Sequence, residues 1–371
     1  MKILFVEPYE FTFIHFRKEL LDALIHEGYE VVLCIQKTKH LETLYSDKLK
    51  IRNVPIDLKS KNIFSNLSLQ NKYKKIIKSE NPDLILSFTI KPNLYCAKYS
   101  KHIPIITNIT GLGTLFDKDN FLKKIGIFLY RKSFKNVDYV FFQNSNGLKT
   151  FRENNIPLNN YKIIPGSGVN LDRYPYSPYK RNDNETVNFL YASRAIEEKG
   201  FNILVNAIPA VVSSNKNVHF NFLININDVT NNNPAREILK KYEKYVSILG
   251  TVTDPIETYK NNSFVVAPSF YNEGISNVLL ESLSCGRPVI TTNDNPGCME
   301  VLNGGSNGFG VKSRDLPSLE EALIRASNTP HKVIVEMGKN GRSFVENNFD
   351  RRFVVNEYLE TIKEFSSSYN K

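Results

Sequence analysis

Short apolar segments alternate with amphipathic segments along the whole chain, and this alternation restricts the possible folds more than any other feature. In the first half, the apolar segments are rich in β-branched and aromatic residues and fall at 2–7, 30–36, 84–89, 103–109, 139–144 and 161–166. Between them lie stretches such as 16–28, in which leucine and isoleucine recur with a helical period before a closing glycine. Strands that alternate with helices form a parallel, doubly wound sheet, so we predict an α/β fold.

The same alternation restarts after residue 180. It predicts strands at 187–193, 218–227, 246–250, 263–269 and 287–292, and helices at 200–214, 234–245, 254–261, 276–285 and 317–328. A chain of 371 residues is long enough for two such domains. We assign them to 1–170 and 171–345, and expect 346–371 to form an amphipathic helix that crosses back onto the first domain. Because ligands of open α/β sheets collect at the carboxyl ends of the strands, we expect a site in a cleft between the domains.

The composition argues against several classes of protein. Hydrophobic residues make up 41% of the chain and charged residues 23%, as in ordinary globular proteins. The first apolar run covers only Ile3–Val6, which is too short for a signal peptide, and no run of about 18 apolar residues could span a membrane. The four cysteines are scattered without CxxC spacing, so we expect reduced thiols and no metal site. These features predict a cytoplasmic protein.

The net charge of +10 is distributed unevenly. Residues 1–170 contain 26 Lys and Arg against 15 Asp and Glu, whereas residues 171–371 contain 22 against 23. Compositional drift alone would not leave the second half neutral. A one-sided basic charge indicates an anionic partner, which could be a nucleic acid, a phosphorylated substrate or an acidic membrane.

The stretch 121–137 combines apolar and basic residues at helical spacing. Its apolar residues are Phe121, Leu122, Ile125, Phe128 and Leu129, and its cations are Lys123, Lys124, Arg131, Lys132 and Lys135. A basic amphipathic helix suits the anionic face of a membrane, although a core helix with a solvated lysine face has the same pattern. We expect peripheral association with the inner face of the cell membrane.

The stretch NEGISNVLLE, residues 272–281, places two carboxylates around a predicted helix start. Gly274 lets the backbone approach a ligand, and Ser276 and Asn277 can cap a helix whose amino terminus suits a phosphate. Glu281, about two turns into the helix, can accept hydrogen bonds from a vicinal diol such as a ribose, and Glu273 can accept them from another sugar. The spacing fits a nucleotide sugar, although a surface acid followed by a helix acid is an equal alternative.

The stretch YASRAIEEKG, residues 191–200, places Arg194 and Lys199 after the first predicted strand of the second half. Two cations at a strand end suit a diphosphate leaving group, because negative charge develops there as a glycosidic bond breaks. The alternative is a pair of solvated cations beside Glu197 and Glu198.

Together these motifs resemble those of the retaining glycosyltransferases of family 4, which have the GT-B fold of two Rossmann-like domains facing across a cleft. NEGISNVLLE matches the Glu-x7-Glu signature, SRAIEEKG resembles the Arg-x4-Lys-Gly element, and IPGSGVNLDRY (164–174) resembles the linker motif PxGVDxxxF. The stretches SFTIKPNLY (87–95) and TNITGLGTLF (107–116) are similar to segments of bacterial members that build O-antigen, capsule or lipid-linked glycans.

The resemblance implies a role for each matching residue. Arg194 and Lys199 would bind the donor diphosphate without a metal ion, Glu281 the ribose and Glu273 the transferred sugar. The backbone of Ile275, Ser276 and Asn277 would meet the phosphate, and Thr251 and Val252 would border the base. The donor would be a UDP-sugar, used as a substrate and not as a cofactor. The acceptor would be a glycan, linked to undecaprenyl diphosphate, held by the first domain.

The first half departs from the family pattern in two places. Phe88 stands near the position where many members carry a histidine, with Lys91 after it, so the sequence identifies no catalytic base. The loop after the first strand lacks the usual glycine pair, and His15 and Arg17 head the next helix instead. These two residues, Lys91, Gly111 and Gly113 are candidates for contact with the acceptor or the cleft.

Three other classes remain as alternatives. A sugar-nucleotide epimerase of the same two-domain fold would need acid and base side chains that the first-half strand ends lack. A non-enzymatic two-domain binding protein would usually be exported. A nucleic-acid binder would use the basic half, but the sequence contains no recognised nucleic-acid-binding motif, so we expect no such partner.

Overall fold

The computed structural model describes residues 1–45, 49–55, 63–100, 102–111, 121–180, 185–252, 254–272 and 274–369. The chain divides into two compact units. The first comprises Met1–Ser167 together with Arg352–Lys371, and the second comprises Gly168–Arg351. The sequence placed these boundaries after residues 170 and 345; the second lies further along the chain because residues 346–348 still belong to a helix of the second unit.

The first unit contains a parallel sheet with helices between its strands. The strands are β1 (Lys2–Val6), β2 (Glu30–Ile35), β3 (Lys50–Asn53), β4 (Leu84–Phe88), β5 (Ile105–Ile109), β6 (Tyr139–Phe142) and β7 (Asn160–Ile163). The helices are α1 (Glu10–Phe16), α2 (Lys18–His26), α3 (Lys39–Tyr45), α4 (Ile63–Glu80), α5 (Ile90–Ser100), α6 (Phe121–Ser133) and α7 (Ser145–Glu153). Over the described ranges the strand order is β3-β2-β1-β4-β5-β6-β7, and every neighbouring pair is parallel.

The second unit repeats this plan with a smaller sheet. Its strands are β8 (Val187–Tyr191), β9 (Val218–Phe222), β10 (Val246–Ile248), β11 (Phe264–Ala267), β12 (Val289–Thr292) and β13 (Gly308–Val311). Its helices are α8 (Phe201–Ser214), α9 (Ala235–Lys241), α10 (Ile256–Lys260), α11 (Asn277–Ser284), α12 (Pro296–Met299), α13 (Leu316–Ser327) and α14 (His331–Asn348). Among the described residues the strand order is β10-β9-β8-β11-β12-β13, again with parallel pairs. The predicted pair of doubly wound parallel sheets is therefore confirmed.

Two edge strands and the short helix α1 were not predicted. The strand β3, with the sequence KIRN, has three polar residues beside Ile51 and no buried residue, so it lacks the apolar signal of a core strand. The strand β13 has the sequence GFGV, and its two glycines give no apolar signal. Packing requires the glycine at 308, because a Cβ there would lie 2.2 Å from the carbonyl oxygen of Val289. The helix predicted at 16–28 corresponds to α2, and the separate helix α1 precedes it; Arg17 lies between them with a φ of −133°, which is not helical.

The last helix, α15 (Arg351–Tyr369), supplies part of the first unit's core. Its Val354, Tyr358 and Ile362 are buried and pack with residues of β1, β2 and β4. The hydroxyl of Tyr358 accepts a hydrogen bond of 2.8 Å from the amide of Asn108, at the end of β5. The first unit is therefore assembled from segments that are far apart in the sequence.

In both sheets the strand order reverses once, between β1 and β4 and between β8 and β11. Connections leave in opposite directions at such a point, which opens a crevice at the carboxyl ends of the two strands. In the first unit, Glu7 follows β1 and Thr89 follows β4. In the second unit, Arg194 lies just beyond β8 and Tyr271 just beyond β11. The topology therefore defines one candidate ligand position in each unit.

Glu7 is a buried acid, with only 2% of its surface exposed. The Thr12 hydroxyl donates a 2.7 Å hydrogen bond to it, and the guanidinium of Arg17 lies nearby. Burial raises the pKa of Glu7 to about 7, because the ionised form loses hydration; the Arg17 charge and the Thr12 hydrogen bond oppose this rise. Folding therefore favours the protonated form of Glu7.

We expect the substitution Glu7→Gln to reduce the pH dependence of stability. The pKa of Glu7 rises on folding from 4.5 to about 7, so the folded chain holds this proton more tightly, and stability is lost as the pH rises through that window. A shift of this size corresponds to about 3 kcal/mol. Urea unfolding at pH 5 and pH 8 measures the difference for both proteins. The exposed Glu321→Gln is the matched control. The same pH dependence in wild type and Glu7→Gln would contradict the expectation.

Candidate active site

The turn after β8 holds Arg194 and Lys199 against the end of β11. Lys199 ends a short 3-10 helix, and Gly200 follows it with a left-handed φ of 75°. A Cβ on Gly200 would lie 2.3 Å from the carbonyl oxygen of Pro268, so no other residue fits this approach. The Tyr191 hydroxyl donates a 2.7 Å hydrogen bond to the carbonyl oxygen of Arg194, which fixes the turn from the sheet side.

The two cations share one aromatic ring. The Arg194 guanidinium carbon lies 5.3 Å from the ring centroid of Tyr271, and the Lys199 ammonium nitrogen lies 5.1 Å from it. Both distances are within the range of cation–π attraction. The structure thus brings together the two cations that the sequence singled out, at the strand-order reversal of the second unit. The resulting positive charge suits a phosphate or diphosphate group.

The start of α11 follows the sequence expectation only in part. Ser276 is the N-cap residue, as its type suggests, but its side chain makes no capping hydrogen bond. Its backbone N–H donates a 2.9 Å hydrogen bond to the carbonyl oxygen of Gly297. Gly274 and Ile275 are buried, and Ile275 packs in an apolar cluster. Glu273 lies outside the described residues.

Glu281, on α11, is a partly exposed residue whose carboxylate accepts hydrogen bonds from two tyrosines. The Tyr259 hydroxyl donates a 2.7 Å hydrogen bond to its Oε2 atom, and Tyr174 also hydrogen-bonds it. Burial raises the pKa of Glu281, while these two hydrogen bonds and the charges of Arg351 and Arg173 oppose the rise. An acid in this setting can accept further hydrogen bonds from a diol.

Thr251 and Val252, which were expected to border the base, follow the edge strand β10 and are both exposed. Val252 has 43% of its surface accessible. A groove of 780 Å³ lies elsewhere in the second unit, along β13, α13 and α14, and none of the predicted site residues lines it.

The described first-unit candidates lie on α1, immediately after it, on α5 and after β5. Arg17 is 4% exposed, and its guanidinium carbon lies 4.6 Å from the ring centroid of Phe88. His15 bonds to the carbonyl oxygen of Phe11 on its own helix, at 2.9 Å. Lys91 lies in the first turn of α5 and is partly exposed, and Gly111 has a φ of 133°. Gly113 lies outside the described residues.

Sequence reasoning missed three features near these strand ends. Tyr271 and Tyr259 have no motif of their own, and their roles depend on contacts across the fold. Thr89, after β4, has a φ of 69°, which is rare for a β-branched residue and occurs mostly where a structure imposes strain. Tyr174 could have been identified from the sequence, because it stands at the last position of the linker motif.

Within the described ranges, no group of three or more histidine, cysteine, aspartate or glutamate residues is arranged to hold a metal ion. The four cysteines are all buried as free thiols. Burial raises the pKa of the Cys34, Cys96 and Cys285 thiols.

Two family models match the chain, one for each half. Residues 2–144 match the glycosyl transferase 4-like family, and residues 186–329 match the family of glycosyl transferases group 1. Among curated proteins, the capsular polysaccharide biosynthesis glycosyltransferase CapM of Staphylococcus aureus is 28% identical over 47% of this chain and 45% of CapM. The uncharacterised glycosyltransferase MJ1178 of Methanocaldococcus jannaschii is 27% identical over 79% of each chain. The match thus spans less than half the length of CapM.

Solved structures share the fold over nearly the full length. The Anabaena protein Alr3699/HepE, determined in complex with UDP and glucose, has a TM-score of 0.78 at 17% identity and covers 98% of this chain and 100% of its own. The UDP-N-acetylglucosamine 2-epimerase ascribed to Listeria monocytogenes has a TM-score of 0.67 at 15% identity, with coverage of 99% and 97%. The fold alone therefore does not separate transfer from epimerisation, whereas both family models describe glycosyl transferases. The two parallel-sheet units have the GT-B fold, and each half of the chain matches a family model of glycosyl transferases.

Proposed function

We propose that this protein transfers a hexose or N-acetylhexosamine from a UDP-sugar to a glycan acceptor in bacterial surface polysaccharide synthesis. The observation that carries the proposal is the pair of cations, Arg194 and Lys199, on one tyrosine ring at the strand-order reversal of the second unit. The resemblance to CapM and to the UDP-bound Anabaena protein supports the donor class and the pathway.

The cations give this arrangement its chemistry. As the bond between the sugar C1 atom and the diphosphate oxygen breaks, negative charge builds on UDP, and fixed cations stabilise it. They do this without a metal ion in the proposed reaction. Glu281 accepts hydrogen bonds from the ribose, and Glu273 holds the transferred sugar.

We propose transfer with retention of configuration and without a protein base. The new bond joins C1 to the acceptor oxygen on the face that UDP leaves. The acceptor proton passes to the departing phosphate oxygen, which becomes part of UDP. Phe88 is consistent with this step, because by the family resemblance it stands near the position of the usual histidine, and it is buried against Phe5 and Tyr358.

An epimerase is the second candidate, because a protein of that class shares the fold. The two activities differ in their products. A transferase releases UDP only when an acceptor is present or the sugar is hydrolysed, whereas an epimerase converts one UDP-sugar into another without releasing UDP. Incubating the protein with a panel of UDP-sugars and a membrane extract, followed by chromatography of the nucleotides, distinguishes them. Isomerised UDP-sugar without any released UDP would overturn the proposal.

We further propose that α6 attaches the protein to an anionic membrane that carries the acceptor, linked to undecaprenyl diphosphate. Ile125, Phe128 and Leu129 are 40%, 63% and 41% exposed, which is unusual for a core helix. Tyr130, fully buried, anchors the opposite face. Lys124, Arg131 and Lys132 accompany the apolar residues at exposed positions. The side chains of Phe121 and Leu122 lie outside the described residues. Among the helices described, none is long and apolar enough to cross a bilayer.

Removing either cation should slow transfer strongly. We expect Lys199→Ala and Arg194→Ala to reduce turnover roughly a hundredfold or more, as loss of a preorganised charge donor does. Both variants should also bind UDP more weakly while binding uridine as the wild type does, because uridine has no diphosphate. Radiolabelled transfer assays and calorimetry measure the two effects, and the exposed Lys216→Ala is the matched control. Near-normal turnover in a folded Lys199→Ala protein would refute the assignment.

We expect the ring of Tyr271 to contribute less to UDP binding than the charges of Arg194 and Lys199 do. Each cation–π contact is worth about 0.5–1 kcal/mol at an exposed site. We therefore expect Tyr271→Leu to lower the affinity for UDP roughly threefold to tenfold, and Tyr271→Phe, which keeps the ring, to have a smaller effect. Equal losses in both variants would show that the hydroxyl, and not the ring, matters.

The membrane proposal predicts charge-dependent binding to vesicles. Each cation near an anionic surface is worth about 1 kcal/mol, so changing Lys123, Lys124, Arg131 and Lys132 to Glu should abolish co-sedimentation with anionic vesicles. Changing the exposed Lys216, Lys240, Lys312 and Lys332 of the second unit to Glu alters the net charge equally and should leave binding largely intact. Wild-type binding should fall as salt rises. Equal binding to neutral and anionic vesicles would contradict the proposal.

A further inference from the structure

Two tyrosines that no sequence motif assigns to the nucleotide hold the carboxylate of Glu281. Tyr174 lies in the segment that leads into the second unit, and Tyr259 lies on α10. Glu281 lies on a third element, α11. The carboxylate is thus fixed by groups from two separate parts of the fold.

Both tyrosine rings are buried, at 2% and 1% exposure, inside an apolar cluster. Their centroids lie 6.2 Å apart at an interplanar angle of 66°, an edge-to-face contact that restrains both rings. A buried hydroxyl requires a hydrogen-bond partner, and for both rings that partner is Glu281. The rings therefore cannot turn away from the carboxylate without leaving a buried hydroxyl unsatisfied.

Glu281 is partly exposed as a residue, whereas both tyrosines are buried. An ionised carboxylate has about four acceptor positions, and two tyrosine donors fill two of them. The remaining positions suit the two hydroxyls of a vicinal diol. A carboxylate free to rotate would lose much of this preference, because it could follow either hydroxyl alone.

We propose that Tyr174 and Tyr259 are positioning residues that fix the orientation of Glu281 and thereby set the selection of ribonucleoside over 2′-deoxyribonucleoside diphosphates. This inference rests on the proposed function, in which Glu281 binds the donor ribose. It adds that the selectivity depends on two hydroxyls that do not touch the ligand.

Other charges also act on this group. Arg173 and Arg351 act on Glu281, Asp254 acts on Tyr174, and Cys285 lies close enough to affect both Glu281 and Tyr259. Removing a tyrosine hydroxyl takes away a hydrogen bond that lowers the pKa of Glu281. In a Tyr→Phe variant, the loss of UDP affinity on acidification should therefore begin at a higher pH than in the wild type.

The test compares the affinities for UDP and 2′-deoxy-UDP by calorimetry. Hydrogen bonds to a charged group are worth about 1.5–3 kcal/mol, so the wild type should prefer UDP roughly tenfold or more. Tyr174→Phe and Tyr259→Phe should each lower this ratio, and the double variant should bring it close to that of Glu281→Gln. The affinity for 2′-deoxy-UDP should change little. Tyr179→Phe, which removes a buried hydroxyl paired with Ser263, is the matched control and should keep the wild-type ratio.

The outcomes separate this inference from the proposed function. A collapsed ratio in Glu281→Gln with an unchanged ratio in both tyrosine variants would overturn the positioning role while the nucleotide site stands. Wild-type protein that binds UDP without preferring it to 2′-deoxy-UDP would also overturn the inference. Absence of UDP binding in the wild type would overturn both. Thermal unfolding of each variant shows whether it is folded, and the pH profile provides a second readout that general loss of structure would not shift.

Discussion

The close approach of Gly200 to Pro268 is the contact on which the second unit's site depends. It is possible only because Gly200 has no side chain and adopts a left-handed φ. The contact brings the turn after β8 against the end of β11, two strands joined by long connections. Lys199 immediately precedes that glycine, and Tyr271 lies three residues beyond that proline. The cation–ring arrangement is therefore a consequence of backbone packing, and the side chains add the charge.

The two units place acids in similar settings but leave them different access to solvent. Glu7 follows β1 and is almost fully buried, whereas Glu281 is partly exposed and carries two tyrosine donors on its buried side. Burial opposes ionisation in both cases. Glu281 is the more exposed residue of the two, whereas Glu7 lies within the core of the first unit. This difference fits a division of labour between the units.

Sequence predicted those parts of the structure that local pattern determines. Apolar runs such as 84–89 and 187–193 located the central strands because both faces of these strands are buried. Arg194 and Lys199 were found because two cations follow a strand at short spacing. The edge strands β3 and β13 were not predicted, because polar residues and glycines do not produce the apolar pattern of a core strand. The roles of Tyr271 and Tyr259 were not predicted, because their contacts join residues that are well separated in the chain. The N–H of Ser276 pairs with Gly297, another contact that no local pattern shows.

The terminal helix α15 has a consequence for how the protein is made. Its Tyr358 and Ile362 complete the core of a unit whose other residues end at Ser167. A ribosome adds about 5–20 residues per second, so the first sheet emerges many seconds before the helix that covers it. During that interval the apolar side chains of β1 and β4 lack part of their cover, while the second unit, continuous in sequence, can fold. The order of synthesis thus favours completion of the second unit first and exposes the first unit to chaperones until translation has passed Arg351.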